Sequence, residues 1–151
     1  MTIKIKRMEE IQRRLALKFR LNKIENSGIF GPILLHELFK HKKMNSTLVE
    51  GHLKIHSPDN LEPEICWHAW VKDDNDNIYD INQVLAVMKD PAFNNCEFCY
   101  ETETENGPEE SPEAKELKEH FELYKKDKTE FWKLTPMKIR NLRAKMFRDN
   151  K

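Results

Sequence analysis

The segment Ile65-Cys66-Trp67-His68-Ala69-Trp70-Val71-Lys72 is followed by Asp73-Asp74-Asn75-Asp76-Asn77 and then by Ile78-Tyr79-Asp80-Ile81. The first run is aromatic and β-branched, which suits a central strand. The five Asp and Asn residues make a turn, because their side chains bond to nearby backbone and tolerate its less common angles. Together they predict a hairpin whose second strand is Ile78–Ile81. A strand over 47–55 precedes it, with Val49, Gly51, Leu53 and Ile55 on one face and Leu48, Glu50, His52 and Lys54 on the other.

Helices flank these strands. Met8, Ile11, Leu15 and Phe19 recur at three- and four-residue steps, so residues 7–23 read as an amphipathic helix. Asn26-Ser27-Gly28 ends it. Pro32 then suits the first turn of a second helix striped by Leu34, Leu35, Leu38 and Phe39. A short helix over Gln83 to Met88 stops before Pro91. Residues 101–112 hold no apolar side chain and read as an acidic linker. Ser111-Pro112 then caps a helix carrying Leu117, Phe121 and Tyr124, and Thr135-Pro136 starts a last one with Ile139, Leu142 and Met146 on one face. The expected fold class is α+β: N-terminal helices on a small antiparallel sheet, with a charged helical C-terminal extension. In domain terms this is a core over 1–100, the linker over 101–112 and the extension over 113–151.

Composition narrows the function classes. The 151 residues suffice for one domain with a real core, although 34% are charged and mean hydropathy is −0.79. Formal net charge is zero, so no global field favours nucleic acid or membrane. The apolar runs are far too short to span a bilayer. Residues 3–11 are broken by charges and do not read as a signal peptide. Three cysteines make no disulfide framework, which suggests a reducing, intracellular, cytoplasmic setting. The basic last helix, Lys138 to Arg148, suits a nucleic-acid backbone, a membrane surface or an acidic partner, but its apolar face more readily docks on the domain.

His68 and Asp80 fall near one another on the predicted hairpin. A carboxylate beside an imidazole fixes its tautomer and orientation, as the supporting half of a Cys-His-Asp triad does. In its order of elements the chain resembles the transglutaminase-like superfamily, which has a papain-like fold. The matching residues are His68-Ala69-Trp70-Val71, Asp80 a hairpin later, and Leu48-Val49-Glu50-Gly51-His52 upstream. The likeness covers about residues 26–85. It implies His68 and Asp80 as the catalytic pair of an acyl-transferring or hydrolytic enzyme. The family's nucleophilic cysteine is missing: its place falls on or beside Gly28, and no cysteine precedes Cys66. The resemblance therefore implies a catalytically degenerate domain that binds a protein or peptide without a cofactor. The alternative is an active hydrolase or acyl transferase in which Ser27 replaces the thiol.

A zinc-stabilised interaction module is the rival reading. Cys66-x-His68 and Cys96-x-x-Cys99 supply four ligands of suitable chemistry, and the second pair has the spacing that grips a tetrahedral ion. If His68 bound zinc it would not serve as a base. The same residues resemble a nucleobase deaminase only superficially, because Trp70 stands where the acid/base Glu is needed. His36 to His41 is one residue too long for a zincin helix, which leaves the two rings about 140° apart. Asp74-x-Asp76 lacks the Gly and Glu of a calcium loop and reads as turn.

Overall fold

The computed structural model describes residues 2–25, 27–102 and 111–149. They form an α+β fold of six α-helices and one four-stranded antiparallel sheet. Helix α1 (Ile3–Leu21) starts where the Thr2 side chain accepts from the Ile5 amide, a turn earlier than its periodicity suggests. Helix α2 (Ser27–His41) is the central element. Ile29 through Leu35 are all buried, so it meets protein on several sides. Pro32 lies inside this helix and not in its first turn, leaving the Gly28 carbonyl without its helical donor. A side chain at Gly31 would press on Ile81 Cγ2 at 2.8 Å, so α2 passes close to the start of the next helix.

Strands β1 (Thr47–His56) and β2 (Glu64–Lys72) pair along their length, with Gly51 opposite His68. Strand β3 is Ile78–Tyr79 alone. The turn before it is organised by Asp73, whose Oδ1 accepts from the amides of Asn75 and Asn77 while Tyr79 donates to its Oδ2. Burial alone would raise the Asp73 pKa, but these donors outweigh it and hold it below the usual carboxylate range. The predicted return strand stops short because Asp80 leaves the ladder to cap helix α3 (Ile81–Lys89). A single-turn 3₁₀ segment (Pro91–Asn95) leads into β4 (Glu97–Glu101), a strand the sequence analysis did not anticipate. The strand order is β3-β2-β1-β4.

Helices α4 (Pro112–Lys126), α5 (Lys128–Leu134) and α6 (Met137–Asp149) complete the chain. Ser111 caps α4 as its sequence suggests. Most of the expected acidic linker, residues 103–110, lies outside the described residues. One apolar core joins both halves of the chain. On the sheet's inner face Trp67, Ala69 and Val71 meet α2, and Phe121 stands edge-on to Trp67 at 5.8 Å. Ile139, Leu142 and Met146 are buried, so the apolar face of α6 is spent on docking.

Candidate functional site

The sheet's outer face carries the candidate site. Side chains alternate along β2, and because Trp67, Ala69 and Val71 take the inner face, Cys66, His68 and Trp70 lie on the other. Paired residues of β1 and β4 share that face: Gly51, Leu53 and Tyr100. Gly51 is required there. A Cβ at this position would fall 2.2 Å from the Glu101 carbonyl oxygen and 2.9 Å from the Trp70 ring, so only glycine lets β4 cross and Trp70 lie flat.

Asp80 is the hub. Its side chain is 1% exposed against 14% for His68. Asp80 Oδ2 lies 2.8 Å from His68 Nε2 and 2.8 Å from the Tyr100 hydroxyl, and Oδ1 accepts from the Asn82 amide at 3.1 Å. The Tyr100 hydroxyl is also 2.8 Å from Gln83 Oε1. Its one proton serves one acceptor at a time, and the carboxylate is the stronger of the two. Burial, then the Asp80 charge, drives the Tyr100 pKa far up, so the phenol stays a donor. Trp70 closes the arrangement, edge-on to Tyr100 at 5.1 Å and stacked beside His68 at 6.3 Å.

With Nε2 committed to Asp80, His68 Nδ1 is the nitrogen left to act as a base. No hydroxyl or thiol among the described residues is hydrogen-bonded to it. Ser27 opens α2, and its carbonyl accepts from Asn82 Nδ2 at 3.1 Å, which ties the helix start to the Asp80 cap. At Gly28, where the resemblance would place the nucleophile, a Cβ would meet the Leu117 side chain of α4 at 3.7 Å. Cys66 shares the face of His68, but burial, then the charges of Glu64 and Asp80, push its thiol pKa up, the opposite of an activated nucleophile.

The four proposed zinc donors are not gathered. Cys66 pairs through Leu53 with Tyr100, whereas Cys99 pairs with Lys54, so the two thiols face opposite sides of the sheet. Cys96 caps the 3₁₀ turn before β4. Among the described residues no three His, Cys, Asp or Glu side chains are grouped to hold a metal ion. Also among the described residues, no helix is long and apolar enough to cross a membrane.

Tyr100 and Gln83 were missing from the sequence-based site. The period-two pattern of Phe98 and Tyr100 between Glu97 and Glu101 is the signal that would have found the strand. Against this geometry no family model matches the chain, and neither curated proteins nor solved structures provide a significant match.

Proposed function

We propose that this chain is a catalytically silent binding domain, built on a transglutaminase-like His–Asp hairpin, that recognises a protein or peptide partner. The observation that carries this reading is the division of Asp80 between His68 and Tyr100. Besides the imidazole, this carboxylate holds a helix cap and a buried phenol, so the fold uses it whether or not any chemistry occurs. The thiol on the same face has its pKa pushed up, and the place that the resemblance gives the nucleophile, on or beside Gly28, lies against Leu117 of α4. The residues are those of a catalytic pair kept for architecture.

The test is turnover. Amine incorporation into a glutamine-containing peptide and hydrolysis of an activated ester are measured for the unaltered chain and for His68→Ala. The expected rates equal buffer for both. Activity above buffer that disappears in His68→Ala would overturn the proposal.

A second reading draws on the bridge from Asn82 to Ser27, which brings the start of α2 to the Asp80 cap. There Ser27 would be the nucleophile of an active hydrolase or acyl transferase, a harder task because a serine hydroxyl needs strong base assistance. Turnover retained in Ser27→Ala would exclude that role.

A further inference from the structure

A cavity lies on the other side of the sheet from His68. It holds about 660 Å³ between the C-terminal half of α2, the start of β1 and helices α4 to α6. That volume suits a small organic ligand. Its apolar floor is Leu48, Phe121, Tyr124 and Phe147. Its charged wall is unusual. Lys40, Lys125, Lys128 and Arg143 line it, against one carboxylate, Glu37.

Glu37 neutralises only one of these four charges, Arg143, and is fully engaged in doing so. Arg143 Nε donates to its Oε1 at 2.8 Å and the Tyr124 hydroxyl donates to its Oε2 at 2.8 Å. Lys125 is likewise satisfied by Glu50 and Glu122. Lys40 and Lys128 differ: neither has a carboxylate within ion-pair distance among the described residues, and the Lys128 ammonium lies only over the Tyr124 ring, at 5.1 Å. Two unneutralised ammonium groups therefore face one apolar-floored cavity. Neutral donors add to them. His36 Nδ1 and Ser46 Oγ are 2.8 Å apart, and Thr47 lies alongside. Burial, then the charge of Lys40, lowers the His36 pKa and keeps that ring a neutral hydrogen-bonding group.

We propose that this cavity binds a small organic anion, a phosphate monoester joined to a flat apolar group, with Lys40 and Lys128 holding the phosphate and Leu48 and Phe147, the half-buried members of the floor, holding the flat group. Point-charge ammonium groups suit phosphate, and aromatic side chains suit a planar ligand. The site is independent of the His68 network and of its reading.

The test is a titration with phenyl phosphate, followed by amide and side-chain NMR shifts and by calorimetry at low and moderate salt. Saturable binding is expected in the range of about 0.1–1 mM, with shifts confined to α2, β1 and α4 to α6 around the cavity. In Lys40→Gln/Lys128→Gln the affinity should fall about tenfold or more, and inorganic phosphate should bind more weakly than the ester. Both lysines are exposed, so the variant should keep its fold, which the NMR spectrum checks directly. No saturation by about 10 mM, shifts away from the cavity, or equal binding by the double variant overturns the proposal. A short poly-glutamate peptide that binds more tightly than phenyl phosphate overturns it too, by showing a docking surface for an acidic chain.

Discussion

Asp80→Ala is expected to lower the free energy of unfolding by about 3–5 kcal/mol, the loss seen when one member of a buried, hydrogen-bonded charged group is removed. Three consequences coincide. His68 Nε2 loses its acceptor inside the protein, at about 1–3 kcal/mol, and the Tyr100 hydroxyl loses its charged acceptor and falls back on Gln83 Oε1. Helix α3 loses its N-cap, at about 1 kcal/mol. The losses share one site and will not sum fully. Urea unfolding with an unchanged m-value measures the effect. Tyr100→Phe removes only one donor and should cost about 1 kcal/mol in the native background, but less once Asp80 is gone. A loss below about 1 kcal/mol for Asp80→Ala would show that water reaches the carboxylate and that the network does not organise the face.

Phe121→Ala should be as damaging, at about 3–5 kcal/mol. The ring is 1% exposed and edge-on to Trp67, so its removal opens a cavity where α4 meets the sheet. For a chain of this length that corresponds to a fall in Tm of roughly 6–20 °C. Tryptophan fluorescence and far-UV circular dichroism should still report a single, coincident transition, since one core spans the first and last helices. Two separable transitions, only one moved by the substitution, would show that α4 to α6 fold apart from the sheet.

Much of this architecture is readable from residues, and the misses have physical causes. The Asp/Asn turn announces its hairpin because Asp73 supplies several of the bonds that the turn needs. Periodicity finds α1, α4 and α6 because each has one wet face. It locates α2 less well, since a helix buried on several sides has no polar stripe to fix its start, and Pro32 suggests a start one turn late. Asp80 reads equally well as strand or cap. The sequence Asp80-Ile81-Asn82-Gln83, an acidic cap with Gln at the third helical position, favours the cap in retrospect. The pairing of His68 with Asp80 is readable because only 12 residues separate them. Tyr100 is not, because its place depends on β4 crossing Gly51, a long-range contact with no local signature. Likewise Cys96 and Cys99 have a metal-like spacing, but alternation in β4 decides where Cys99 points.

The sheet's two borders differ from its middle in a way that bears on how the protein behaves when crowded. One border is a strand of two residues, and the other a strand of five with a glutamate at each end, Glu101 already tied to Lys54 at 3.0 Å. An open ladder of backbone amides and carbonyls is a template for adding a foreign strand, and brevity and charge are the common defences. This sheet uses both. Beside β3 the defence is incomplete: β3 pairs only with Val71 and Lys72, so among the described residues Glu64 to Trp70 of β2 have no strand partner on that side, and a lent strand or a second copy would find its grip there.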